Sequence, residues 1–139
     1  MIDLLSSASG LFGETARKLI TDNSLESFEI TSVQQLKLFE ISYGKESSET
    51  KRLCTKPDVQ RAYGQCHWDK LNQGIKEIVI DLKCRGDYTP LVRKKIQRLV
   101  SGNDIKKFFE VINNRANWPT VPVDRFHRRI EFYRKLNNL

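Results

Sequence analysis

The chain has 139 residues, 39% of them hydrophobic and 29% charged, and its 24 basic and 17 acidic side chains leave a formal charge of +7. That length predicts one compact domain over residues 1–139, able to bury roughly two-thirds of its unfolded surface. No run approaches the ~20 apolar residues of a membrane span, and MIDLLSSASGLFG lacks the basic start and apolar core of a signal peptide. The expectation is therefore a protein made in the cytoplasm, with no membrane insertion.

Residues 1–12 are weakly patterned, and Ser6, Ser7, Ser9 and Gly10 predict a loose lead-in. Glu14 to Thr21 reads as a short helix with Ala16, Leu19 and Ile20 inward, broken by Asp22-Asn23-Ser24. Phe28–Ile30 is a weak strand candidate. Thr31 and Gln34 have capping-box spacing, with Thr at the cap and Gln three residues on. The helix they open sets Val33, Leu36, Phe39 and Tyr43 on one face and extends past Gly44 toward Leu53, with Pro57 to stop or bend it. Pro57 to Tyr63 makes one further short helix, closed by Gly64.

Leu71 to Pro90 is the stretch around which the rest is organised. Leu71, Ile75, Ile78, Val79 and Leu82 fall at i, i+4, i+7, i+8 and i+11, the stripe of a helix with one buried face. Asp69 is the expected N-cap. Gly86 supplies the positive-φ stop after Lys83 and Arg85, and Thr89-Pro90 starts the next helix as cap and first residue. Cys84, within the same helix, is expected to pack as a small hydrophobe. Leu91, Ile96, Leu99 and Val100 mark a helix ended by Ser101-Gly102-Asn103. Ile105, Phe108, Phe109 and Ile112 mark another, ended at Asn117-Trp118-Pro119, and Phe126, Ile130, Tyr133 and Leu136 mark the last. The class is all-α, with about six or seven helices, short links and no repeat.

The basic excess gathers in Arg85–Arg98 and Arg125–Lys135, interleaved with apolar positions. Such runs are either solvated helix faces or an anion-binding surface, and charge alone does not choose between DNA, headgroups and wall polymers. Cys66-His67 has no C-x-x-C or H-x-x-x-H partner, so no metal site is expected, and no Gly-rich phosphate loop points to a cofactor. A Cys54–Cys66 disulfide is open in an oxidising compartment. His67 and His127 have no Ser or Cys at a diagnostic spacing. Arg85-Gly86-Asp87 spells an integrin-binding tripeptide but reads here as a helix terminus. No helix-turn-helix spacing or aromatic-rich sheet supports nucleic-acid binding.

The run Trp68-Asp69-x-Leu71, then Arg85-Gly86-Asp87-Tyr88-Thr89-Pro90, then Asn114-Arg115-x-x-x-Trp118-x-x-Val121-Pro122-x-x-Arg125-x-x-Arg128-Arg129 resembles the lysozyme-like domain of pesticin-type bacterial toxins. More distantly it is similar to the helical C-terminal lobe of phage-type lysozymes. The resemblance covers roughly residues 30–139, more weakly 11–30. It implies a single lysozyme-like lobe around a buried central helix at 71–84, and a muramidase that cuts the β-1,4 bond of peptidoglycan. That reaction needs a carboxylic acid kept protonated in an apolar setting and a second group to manage water or the cation. In the family a Glu closes the first helix, and a Gly-rich hairpin follows it. No stretch here has that form, so Glu14, Glu26 and Glu29 are the candidate acids, each reading more readily as a surface carboxylate.

Substrate-binding candidates are Arg85, Asp87, Tyr88, Arg115, Trp118 and Arg125. Trp118 would stack on a sugar or pack between helices, and Arg115 and Arg125 would hold anionic groups or bond helix-end carbonyls. The expectation is a peptidoglycan-associated lobe without its catalytic hairpin, binding glycan or a protein partner. It would act in the periplasm or cell wall after delivery by another system. The alternatives are an active muramidase with a rearranged acid, and a basic helical nucleic-acid-binding or regulatory protein.

Overall fold

The structure, a computed structural model, describes residues 2–139. Helical periodicity is realised as eight α-helices among those residues, and no strand forms, so the class is all-α. Contacts divide the chain into two compact units, Met1–Phe39 and Glu40–Leu139, each described by itself.

In the first unit the stretch read as a loose lead-in carries a helix, α1 (Ile2–Ser7), followed by a turn in which Gly10 takes φ 82°. The serines there are compatible with a single short helix, and Ser7 Oγ donates back to the Leu4 carbonyl. Helix α2 (Gly13–Asp22) matches the expected span, with Ala16 and Leu19 half-buried and Ile20 exposed. Phe28–Ile30 is irregular. The capping box forms as spaced: Thr31 N donates to Gln34 Oε1 at 2.9 Å and Gln34 N to Thr31 Oγ1 at 3.1 Å. It opens α3 (Ser32–Thr55), which runs unbroken through Gly44 because one glycine costs a long helix only about 1 kcal/mol.

The second unit holds the core. After α3 come α4 (Pro57–Tyr63), a 3-10 turn at Trp68–Lys70 and α5 (Gln73–Arg85). Ile75, Ile78, Val79 and Leu82 are buried as the stripe requires. The cap is Asn72 and not Asp69: Asp69 belongs to the 3-10 turn, and Leu71 is extended before the helix begins. Asn72 Oδ1 accepts from Ile75 N at 3.2 Å, while its own N–H groups donate to Asn103 and Asn137. Cys84 is exposed, contrary to the core position expected for it. It lies nine residues after Ile75, about half a turn out of phase with the buried stripe at roughly 100° per residue.

Gly86 ends α5 in the left-handed region at φ 88°, and the Asp87 and Tyr88 N–H groups both reach back to Leu82 O. Thr89 then caps α6 (Pro90–Ser101), accepting from Val92 N at 3.3 Å. Helix α7 (Ile105–Asn113) begins at the Asp104 cap, a 3-10 turn follows at Arg115–Asn117, and α8 (Val123–Asn137) closes the chain. Helix α5 packs on α8, α6 on α7 and α4, and α7 on α8. Ile96, Val100, Phe108, Ile112 and Tyr133 fill the space between them, whereas Leu91 and Leu136 point to solvent.

Gly74, in the first turn of α5, is the closest approach in this packing. A Cβ there would stand 2.7 Å from Asn137 Nδ2 and 3.0 Å from both Asn72 Oδ1 and the Tyr133 ring. Gly74→Ala, which on an open helix would stabilise by up to about 1 kcal/mol, should instead destabilise by about 1–3 kcal/mol through overpacking. Urea unfolding followed by circular dichroism measures the sign, and a more stable variant would refute the close approach.

Candidate functional site

Helices α5 and α8 meet with opposite charges facing each other. Glu77 and Asp81 stand one turn apart on α5, and Asp124, Arg125, Arg128 and Arg129 follow one another on α8. Arg129 is only 5% exposed. Its Nε and Nη2 donate to Asp81 Oδ2 at 2.9 and 2.7 Å, and Arg125 Nη2 reaches the other Asp81 oxygen at 2.5 Å. Asp87 Oδ2 lies 3.9 Å from Arg129 and 3.1 Å from Arg85 Nε. Two carboxylates, one on α5 and one just after the Gly86 turn, thus answer three guanidiniums. Above the network opens a cavity of about 520 Å³, bordered by Glu77, Asp81, Arg125, Arg128, Arg129 and Phe132.

Glu77 accepts from Tyr43 Oη at 2.7 Å and from Gln73 Nε2 at 2.6 Å. Burial, reinforced by the hydrogen bond and charge of Glu77, pushes the Tyr43 phenol up to about 12. At the rim Arg128 donates to the Asp124 carboxylate, and that bond holds Asp124 below the usual carboxylate range.

The structure disperses most of the residues marked for substrate binding. Arg85 ties Asp87 to the Thr120 carbonyl, which its Nη2 reaches at 2.6 Å. Tyr88 is buried: its hydroxyl meets Gln97 and lies 3.3 Å from Cys54 Sγ, with the Arg93 guanidinium 4.7 Å from its ring. Trp118 is 3% exposed, donating through Nε1 to Val111 O at 3.2 Å, so it packs and offers no face to a sugar. Arg115 bonds the Trp118 and Val121 carbonyls at 2.7 Å each. Arg125 is the one of the six at the cavity.

Among the candidate acids, Glu14 is exposed and pairs with Arg17 at 2.8 Å, and Glu26 and Glu29 are exposed in the segment after α2. All three belong to the first unit. The half-buried carboxylates of the second unit are engaged as well, Glu46 by Lys83 at 3.0 Å, Glu49 by Arg52 at 2.6 Å, Asp104 by the Lys107 N–H at 3.0 Å, and Glu77, Asp81 and Asp87 as described. None of them stands in the apolar setting that a proton donor needs. Sequence reasoning passed over Glu77, Asp81 and Phe132. Their signal was faint but present: two carboxylates at i, i+4 on a helix with a strong apolar stripe, together with the basic run Arg125-x-x-Arg128-Arg129.

No group of three His, Cys, Asp or Glu side chains among the described residues is arranged to hold a metal ion. No described helix is long and apolar enough to cross a membrane.

This geometry defines an all-helical protein with a charged cleft between its central and last helices. Residues 1–130 match the family described as Domain of unknown function (DUF8812), and the chain belongs to that family. No curated protein and no solved structure matches it.

Two measurements probe the cleft. Asp81→Ala removes the main partner of a buried cation, so it should cost about 3 kcal/mol, the low end for a broken buried pair because Asp87 stays nearby. A urea midpoint unchanged from the parent would contradict that role. For Tyr43, a phenol whose pKa is raised in the fold from 10.0 to about 12 contributes stability that is complete below pH 10 and lost as pH climbs toward 12. Tyr43→Phe lacks this contribution, so the gap in Tm between parent and variant should close over that window, as melts from pH 8 to 12 would register.

Proposed function

We propose that residues 40–139 form a non-catalytic, lysozyme-like lobe that associates with peptidoglycan through the cleft between α5 and α8. The observation that carries this reading is the composition of the cleft, with cations, carboxylates and the half-exposed Phe132 ring around one opening. Peptidoglycan offers the complement of each: stem-peptide carboxylates for a guanidinium fork, ammonium groups for the acids, and sugar faces for an aromatic ring. The net charge of +7 adds steering toward anionic wall polymers. Hydrolysis is left out of the proposal because each cleft carboxylate is already engaged, and because Glu14, Glu26 and Glu29 are solvent-exposed. An active muramidase would require one of those three to find a dry setting. Delivery to the periplasm or wall by another system belongs to the same proposal.

A protein partner is the second reading, favoured by apolar side chains turned to water in the first unit, Phe12 at 85%, Val33 at 78% and Leu36 at 59% exposed.

Sedimentation with purified sacculi tests the first reading. The chain should pellet with murein at low salt without clearing the suspension. Arg128→Ala and Phe132→Ala, both at exposed rim positions, should each weaken binding roughly fivefold, the equivalent of about 1 kcal/mol. Failure to pellet, or loss of turbidity, would overturn it.

A further inference from the structure

Cys54 and Cys66 lie twelve positions apart with the whole of α4 between them, yet both are buried in the same core. Gln60 brings them together. Its Nε2 donates to the Thr55 carbonyl at 2.8 Å, next to Cys54, and its Oε1 accepts from Cys66 N at 3.2 Å. One side chain in the middle of the loop therefore fastens both ends, and Gly64 at φ 99° lets the chain return after α4. The two thiols are near enough that each shifts the other's acidity. The Tyr88 hydroxyl stands 3.3 Å from Cys54 Sγ. Cys66 also borders a cavity of about 280 Å³ open to the surface, together with Lys51, Thr55, His67, Trp68 and Lys70.

From this arrangement we propose that Cys54 and Cys66 are a disulfide-forming pair, oxidised by a small-molecule disulfide that reaches Cys66 through the adjoining cavity. The inference does not depend on the peptidoglycan reading.

The electrostatics suit the reaction. Hydrogen bonds from Cys66 and Tyr88, outweighing burial, bring the Cys54 thiol down to about 7, and the thiolate so formed pushes Cys66 up. The pair thus holds one proton near neutral pH, carried by Cys66, with the negative charge on Cys54. In the first step the Cys66 sulfur attacks one sulfur of the incoming disulfide as the Cys54 thiolate takes the Cys66 proton. A mixed disulfide forms, the S–S bond of the reagent breaks, and the departing sulfur leaves with that proton as a thiol, which restores the Cys54 thiolate. In the second step the Cys54 thiolate attacks Cys66 Sγ, forming the internal bond and expelling the second thiolate. The one proton of the pair ends on the first released thiol, and the second released thiolate takes its proton from solvent. The two protein sulfurs are oxidised by two electrons, and the reagent disulfide is reduced by the same two. Cys84, exposed on the outer face of α5, lies outside this pair and can form only mixed or intermolecular disulfides.

The test uses the full chain carrying Cys84→Ser, so that only the pair reports. Native protein is incubated with oxidised glutathione, alkylated and read by mass spectrometry, with thermal melts in parallel. The expected result is loss of the mass of two hydrogens and a cross-linked peptide joining Cys54 to Cys66. Closing a loop of this length should raise Tm by roughly 5–15 °C, reversed by reductant. Adding Cys54→Ser should leave a glutathione adduct on Cys66 and no rise in Tm. The proposal fails if both thiols stay alkylatable after native incubation. It fails equally if the bond forms only in denaturant, because the folded arrangement would then not be what joins them.

Discussion

A guanidinium carried into the core has to be answered, and Arg129 sets the terms on which α5 and α8 meet. An ion that is 5% exposed is tolerated only with close, well-oriented counter-charges. Asp81 supplies one from α5 with two hydrogen bonds, and Asp87 supplies another from the turn after Gly86. Because the two acids come from a helix and from the turn that ends it, the pairing fixes both the register of α8 against α5 and the path of residues 85–89. Arg85 extends the constraint by bonding the Thr120 carbonyl, which anchors the approach to α8. The stretch that looks most like a recognition motif is in this sense a clamp.

The cleft is a consequence of that clamp. Asp81 has two oxygens, and with Arg129 on one and Arg125 on the other its acceptor capacity facing the core is taken up. Arg125 is drawn only partly inward, and Arg128, one turn from Asp124, stays at the rim with its own partner. The opening is therefore lined by charges of both signs, each already balanced at short range. A ligand that enters must exchange partners with these pairs, which favours molecules that themselves carry carboxylate and ammonium groups over a uniform polyanion. On the far side of α5, Tyr43–Glu77 and Lys83–Glu46 tie the second half of α3 to the same helix, so the acidic edge of the cleft is held from both directions.

Most of the fold could be read from spacing, because buried helices in water must show a 3.6-residue stripe. The stripe marked α5 to α8, and the turn chemistry of Gly86 and Thr89-Pro90 marked the break between α5 and α6. Helix α5 nonetheless begins later than Leu71, and α7 ends at Asn113, short of the break expected at Asn117-Trp118-Pro119. The errors have local causes. Asp69 and Asn72 are both good caps, and the choice between them depended on Asn103 and Asn137, distant partners that hold Asn72 in place. Cys84 was assigned to the core by residue type although its phase on the helix placed it outside. The site was harder to read. Trp118, Tyr88 and Arg115 have the side chains of a binding surface, but here their polar atoms satisfy backbone carbonyls and a buried glutamine. A sequence shows that such groups are present and not which acceptor lies within 3 Å. Asp81 and Glu77 were hidden for the opposite reason, being acidic positions on a helix identified by its apolar face.

The two units are each held together in a different way, and their burial explains why. The second unit has a continuous core, so its surface groups can be spared for ligands, and its cleft is preformed between helices already held by buried contacts. In the first unit α2 buries no side chain. A ten-residue helix in water is marginal by itself, since nucleation is costly and each added residue gains little. Beyond backbone bonds α2 has the exposed Glu14–Arg17 pair, and exposed pairs of this kind contribute at most about 1 kcal/mol. Apolar side chains such as Phe12 and Val33 turned to water in such a segment are worth covering, by the ~25 cal/mol gained for each Å² of apolar surface removed. A protein partner that covered them would gain that burial. The proposed glycan and protein-partner contacts thus call on different residues, those lining the opening between α5 and α8 and the exposed apolar side chains of the first unit.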